Sequence, residues 1–488
     1  MKKIIYLLMV LFCAQLSAQQ FNQDAPWMKE LYLEKGAHYQ PTFEEVQQYF
    51  NAYWADKDHT VKANGFKPFK RWEYYWQNFL NQEGKLPSSQ QMWTAWENKN
   101  VFTQSFNNNT TMADMSNWQP VGPVTHTNTG SWSSGQGRVN VIEVDPNDAD
   151  TWYIGAPAGG IWKTTDAGTT WAPLSDELPQ IGVSGIAVDP ANSSIIYIAT
   201  GDDDANDTFS VGVMKSIDGG MTWNQTGLNP ANSPTSMNDI YIHPTDSNIL
   251  WVSTNQGIFK SIDAGVNWTQ TLGGNMRDMK LKPGDPNTIY AASNNTFYKS
   301  TNGGDSFTPS TTGLPAGSGR LVVDVTPANP NYVYVLAVNG GFNYQGVYRS
   351  SDSGDSFTAQ NTSGPMGSCT QGWYDLALGV SSTNAEEIYL GCLNVWQSIN
   401  GGTSWTEINS WSNPSGPRYT HADIHMIRSF GGRIFVGSDG GVYSSNDAGA
   451  TFQDHTAGIQ IGQFYKVAVA PNNANKMVGG LQDNGGYA

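Results

Sequence analysis

TTDAGTTW (164–171), SIDGGMTW (216–223), SIDAGVNW (261–268), STNGGDSF (300–307), SSDSGDSF (350–357), SINGGTSW (398–405) and SNDAGATF (445–452) are seven copies of one short box. Their central residues, Asp166, Asp218, Asp263, Asn302, Asp352, Asn400 and Asp447, recur on average every ~47 residues, which is a propeller-blade period. The sequence around each box keeps one order. An alternating strand ending in Pro comes first (VIEVDP 141–146, GIAVDP 185–190, DIYIHP 239–244, DMKLKP 278–283). A second strand follows (TWYIGA, IIYIAT, ILWVST, TIYAAS), and a third runs into the box (GIWKTT, GVMKSI, GIFKSI, TFYKST). The fourth starts at the closing Trp or Phe. Four short strands punctuated by Gly, Asn and Pro make one blade sheet.

Within the box, the Asp or Asn carboxyl or amide accepts bonds from turn amides, Gly supplies positive φ, and the aromatic packs under the turn. Recurrence in every blade makes these acidic residues structural staples rather than metal ligands or catalysts. Phe464 to Pro471 and Lys476 to Leu481 read as two strands of a further unit with no box after Gln482. NWQPVGP (117–123) resembles an outer strand able to complete it, so eight or more blades are expected, the last incomplete.

The boxes resemble the Asp-box, or BNR, repeats of sialidases, xyloglucanase-type glycoside hydrolases and the extracellular domain of sortilin. HADIHMIRSFGGRIFVGSDGGVYSSNDAGATF (421–452) with IGQFYKVAVAPNNANKMVGGLQDNGG (461–486) looks like bacterial exported proteins with a sortilin-type propeller. GFKPFKRWEYYW (65–76) resembles the N-terminal region of proteins exported by type IX secretion. Such motifs specify a fold and not a function. The sialidase resemblance would imply an Arg-Ile-Pro motif, which is missing. The xyloglucanase resemblance would imply an acidic residue in the second-strand turn of the first blade, where GAPAGG (155–160) places Pro157.

Residues 1–18 read as a signal peptide: Lys2 and Lys3, an apolar stretch from Ile4 to Ala14, and Leu16-Ser17-Ala18 before Gln19. The expected location is therefore secreted or outer-surface. Residues 19–98 read as a helical module. Thr42 and Glu45 form a capping box ahead of Phe43, Val46, Tyr49, Phe50, Tyr53 and Trp54; Phe69, Trp72, Trp76 and Phe79 share one face of a second helix; Met92, Trp93 and Trp96 mark a third. Residues 99–117 read as a polar linker, and 118–488 as the all-β propeller.

Among 488 residues there are 26 Lys+Arg and 42 Asp+Glu, a net charge of −16, with only 14% charged and 12% aromatic residues. Nucleic acid and anionic membrane are excluded as partners, since either needs clustered cations. Lys67, Lys70 and Arg71 read as a solvated face. No run approaches the length of a transmembrane helix. Outside the signal peptide the cysteines are Cys369 and Cys392, flanking one predicted hairpin and expected to form a disulfide in an exported chain.

Box turns on one face leave the opposite, top face to the longer loops 201–210, 337–346, 358–372 and 406–420. GDDDAND (201–207) begins like a calcium loop at Asp202 and Asp204, but Asp207 and Val213 stand where an EF-hand needs Gly and Glu. A solvated acidic loop is the preferred reading there, and no cofactor is expected. Asp239 and Asp278 lie five residues before Pro244 and Pro283, and Asp375 and Asp423 precede the matching stretches of later units. Four carboxylates at one register near a channel mouth could supply the acid and base of a glycoside hydrolase, or could bond the backbone of adjacent blades. His421, Asp423 and His425 alternate on one strand, which suits a metal site less well than His–Asp packing between blades. Gln482 and Asp483 are further top-face candidates. The leading expectation is a binding propeller engaging an extracellular peptide or glycan on its top face; the alternative is a glycoside hydrolase using Asp375, Asp423, Asp239 or Asp278.

Overall fold

The structure is a computed structural model that describes residues 25–487 apart from 37–38, 61–64, 110–120, 127–134, 180, 203, 206–207 and 367–368. Residues 1–18, expected to be a signal peptide, lie outside the described residues. Two compact units divide between Gln91 and Met92.

The first unit is helical. Phe43–Trp54 is opened by the capping box: the Glu45 N–H donates to Thr42 Oγ1 at 3.2 Å and the Thr42 N–H donates to Glu45 Oε2 at 2.8 Å. Its apolar face meets Phe66–Trp76 through Phe50 stacked on Phe69, with ring centroids 3.6 Å apart. Gly65, at φ 81°, stands immediately before this helix as its N-cap. The last helix runs Ser89–Asn109, through much of the stretch expected as a linker. Polar composition there comes without Gly or Pro, so nothing in it breaks a helix. From Met92 onward it belongs to the second unit, where Trp93 packs with Val141 and Tyr153.

The second unit contains seven four-stranded antiparallel sheets, 141–173, 183–225, 237–273, 278–309, 318–361, 377–407 and 424–454, numbered blades one to seven. In each, the box joins the third strand to the fourth. Its Ser or Thr hydroxyl donates to the central Asp or Asn at 2.6–2.9 Å in all seven copies and accepts at 2.8–3.0 Å from the N–H of the Gly two residues beyond that Asp or Asn. Hydrogen bonds from Thr170 and Thr164 hold Asp166 down at about 2, so the staple is ionised at any ordinary pH. The closing aromatics also stitch blades together: Trp223 Nε1 donates to the Leu174 carbonyl at 2.7 Å, and Trp171 Nε1 of blade one to the His455 carbonyl beside blade seven at 2.8 Å.

Second strands are buried from both sides, because each blade is sandwiched between two others. Trp152, Tyr197, Trp251, Tyr290, Tyr334 and Tyr389 are all essentially inaccessible. The ring closes with seven blades. The Val139 N–H, just before blade one, donates to the Ser438 carbonyl of blade seven at 3.0 Å, and Val139, Ile142 and Trp152 share a core with Phe435 and Val442. The expectation of eight or more blades in the ring is thereby corrected. Phe464–Ala470, Asn473–Leu481 and Gly486–Tyr487 form a three-stranded eighth sheet, but its first strand is exposed along its length instead of facing a channel. Seven twisted sheets already satisfy each other's faces, leaving no gap for another.

A chain ending at residue 463 therefore keeps a cooperative thermal transition and its β-sheet circular dichroism. Trp152→Ala, cut into the closure core, costs about 3–5 kcal/mol in denaturant unfolding.

Candidate functional site

The seven first strands surround a central cavity of about 440 Å³. Its wall carries charge in two layers. In the shaft, carboxylates reach across to the backbone of the next blade. Asp239 Oδ2 accepts from the Met279 N–H at 3.2 Å, Asp278 Oδ2 from the Val323 N–H at 2.7 Å, and Asp324 Oδ2 from the Val380 N–H at 2.7 Å. Lys280 sits between Asp239 and Asp278 and donates to both, and Arg428 pairs with Glu143. Burial pushes Asp278 up to about 7 and Asp324 to about 6, the Lys280 charge opposing it in both. Asp239 and Asp278 thus face cations and backbone donors.

At the top, residues from six blades converge. Asp202 pairs with Arg138 at 2.6 Å and accepts from Asn140 at 3.0 Å. Asp204 meets Arg320 at 3.0 Å, Arg277 at 3.6 Å and His425 Nδ1 at 3.2 Å. Both carboxylates are thereby engaged by separate protein cations and Asp202 is fully buried, which corrects the expectation of a solvated acidic loop. His425 Nε2 meets Asp439 Oδ1 at 2.9 Å, and the Tyr374 hydroxyl donates to both Asp439 oxygens at 2.9 Å. Burial, which alone would lower His425, is outweighed by the hydrogen bonds to Asp204 and Asp439, which raise it to about 9. Burial likewise opposes ionisation of Asp204 and Asp439, but Arg320 with His425 holds the first, and His425 with Arg138 the second, below the usual carboxylate range.

Asp375 and Asp423 are treated differently. Gln371 Nε2 donates to both, at 3.1 and 2.9 Å, binding two carboxyl groups to one amide. Asp375 is fully buried beside the Cys369–Cys392 disulfide, with Cys392 Sγ 3.5 Å away. Burial first, and then the Asp423 charge, drives Asp375 well above the usual range. Burial and the Asp439 charge push Asp423 up to about 7. Asp423 is half-buried and Asp483, whose charge also raises it, is exposed. Burial and Asp439 raise Asp483 too. Apart from the box turns and Phe342, these two are the positive-φ residues other than Gly among those described, Asp423 at 60° and Asp483 at 53°. Such strain gathers where function holds it in place.

The structure therefore separates HADIH. Asp423 in the left-handed region breaks the alternation, and the strand begins only at Ile424. His421 bonds the Ala422 and Asp483 carbonyls, at 3.0 and 3.2 Å, while His425 turns to Asp204 and Asp439. The two histidines do not meet at a metal. Among the described residues the one grouping with metal-ligand spacing is Cys369, Asp375 and Cys392, whose sulfurs are bonded to each other. Gln482 donates to Asp483, and Asn484 Nδ2 ties this turn to the Asp439 carbonyl at 2.9 Å. Asp439, Gln371, Tyr374, Arg138, Arg277 and Arg320 were not singled out in the sequence; the three arginines share one signal, a place at the start of a first strand.

The xyloglucanase Xgh74A of Acetivibrio thermocellus is 32% identical over 131 residues, 25% of this chain and 16% of that protein. Among solved structures, the GH74 enzyme of Niastella koreensis superposes with a TM-score of 0.56 at 20% identity, over 73% of this chain and 59% of that one. The GH74 xyloglucanase of Xanthomonas campestris gives 0.56 at 15% identity, over 73% and 60%. This is a seven-bladed propeller with xyloglucanase-like neighbours. No family model matches the chain. It spans less than two thirds of the length of these relatives, and identities this low between structures establish the shared fold alone. Among the described residues no helix is long and apolar enough to cross a membrane.

Stability should fall as pH rises. Asp423 binds its proton more tightly folded, near 7, than unfolded, near 4, so the folded state loses stability across that interval. His425, folded near 9 against about 6.5 unfolded, stabilises fully below 6.5 and loses its contribution as pH climbs to 9. Asp204 and Asp439 act oppositely, below the ordinary carboxylate range. Differential scanning fluorimetry is expected to place the highest melting temperature near about pH 5, with Asp423→Asn flattening the lower limb and His425→Gln the upper.

Proposed function

We propose that this protein is exported and acts on a glycan at the mouth of its central channel, cleaving glycosidic bonds. The observation that carries this reading is the Asp375–Asp423 pair, two carboxyl groups on one amide donor, with no salt bridge to either among the described residues. Glycoside hydrolysis needs one carboxyl group protonated near neutral pH and a second ionised nearby. Asp423, at about 7 and partly open to solvent, is the proton donor to the leaving oxygen. Asp483, exposed beside it, is the second carboxylate, activating water or steadying positive charge on the sugar. Asp375 is buried beyond reach of substrate and acts as a positioning residue; kept protonated by burial and the Asp423 charge, it hydrogen-bonds Asp423 and tempers the rise that burial and Asp439 impose on it. Asp239 and Asp278 hold the channel wall. The likeness to xyloglucanases supports a β-glucan as substrate class.

One observation favours a second reading, retention of a glycan or peptide without turnover: Pro157 occupies the first-blade turn where the resemblance implies a carboxylate.

A panel of β-glucans and sialosides decides between them. The expected result is turnover of a β-glucan, reduced about 100-fold or more in Asp423→Asn. Asp375→Ala should instead move the alkaline limb of the pH profile to higher pH, because the hydrogen bond that holds Asp423 down is gone. Retention on a glycan or peptide array with no turnover of any substrate overturns the hydrolase reading. Amino-terminal sequencing of secreted protein should begin at Gln19.

A further inference from the structure

The helical unit shows solvent three aromatic side chains. Tyr74 is 72% exposed, Tyr75 50% and Phe79 50%. Tyr75 and Phe79 lie 5.1 Å apart between ring centroids, and Trp76 touches both, 5.2 Å from Tyr75 and 6.2 Å from Phe79. Phe79, expected on the buried face of its helix, falls beyond the helix end at Trp76 and so joins the outer cluster. Exposed Gln77 and Asn78 border the rings, each donating to the Tyr74 carbonyl, at 3.1 and 3.3 Å. The core of this unit is built from other rings, Trp27, Phe43, Phe50, Trp54, Phe69 and Trp72, so folding does not account for the outer ones.

Area decides what fits them. An aromatic side chain carries ~150–250 Å², so three at half to three-quarters exposure offer roughly 300 Å². A stable protein interface takes about 800 Å² from each partner. The patch is too small for that and matches one or two sugar rings, whose C–H faces stack on aromatic planes while their hydroxyls meet bordering amides. We propose that Tyr74, Tyr75 and Phe79 form a docking platform on the helical unit for the pyranose rings of a polysaccharide. This rests on the glycan reading of the propeller.

Affinity electrophoresis of the full chain through gels containing soluble xyloglucan or mixed-linkage β-glucan tests it. Wild type should be retarded, and Tyr75→Ala/Phe79→Ala should weaken the apparent affinity at least about fivefold with helical circular dichroism unchanged. Tyr74→Ala, at the most exposed position, gives the same direction without risk to folding, and Tyr75→Trp keeps retardation. Turnover of a short soluble oligosaccharide is followed in parallel and should not change in these variants. Equal retardation of all variants, no retardation of wild type in either gel, or concentration-dependent association removed by the same substitutions each overturns the platform. Retardation lost in the variants with no turnover by wild type supports the platform while refuting the hydrolase.

Discussion

A blade of this propeller has no solvent-facing side. Its second strand carries large apolar residues toward both neighbours, as Trp152, Tyr153 and Ile154 do in blade one. Such a sheet is stable only when both neighbours are present, so the ring must close on itself. Closure is made on both sides of blade one: ahead of it the Val139 N–H bonds the Ser438 carbonyl at the end of blade seven's second strand, and at its box turn Trp171 reaches the carbonyl of His455. With seven blades satisfied, the eighth sheet stays outside, and its first strand keeps Phe464, Tyr465, Val467 and Val469 in solvent.

Closure also creates the chemistry. Residues that are distant in sequence and polar at the starts of first strands are pushed together around one axis. Most of the resulting buried charge is neutralised, by backbone N–H groups of the next blade or by Lys280, Arg428, Arg138, Arg277, Arg320 and His425. Asp204 and Asp439, set among cations, fall below the usual range, while burial still raises Asp278 and Asp324 in the shaft. Asp375 and Asp423 face each other instead, and theirs rise. A pair of acids held against its own repulsion costs stability, which only the surrounding packing and the Cys369–Cys392 bridge can offset.

Much of the fold was legible in local pattern. The boxes mark every third-to-fourth strand turn, and Thr42 with Glu45 marks the start of a helix, because these motifs satisfy their own hydrogen bonds within a few residues. The helix to Asn109 was hidden by polar composition, which mimics a linker. Asp239, Asp278, Asp375 and Asp423 looked alike, since a register says only that a side chain starts a strand. Which donor waits across the blade gap is a property of the neighbour: the Met279 and Val323 backbone for the first two, the side chain of Gln371 for the others. Asp439 had no signal of its own, lying in a Gly-rich turn that reads as ordinary punctuation.

By itself the sequence determined the repeating blade, the stapled turns, the helical module and the two cysteines available to pair, because each is a short-range matter of spacing and propensity. The tertiary structure decided the blade number of the ring, the pairing of His425 with Asp204 and Asp439, and the division of carboxylates into neutralised and opposed sets. Those outcomes depend on which atoms meet across the axis, and no local pattern contains the partner on the other side.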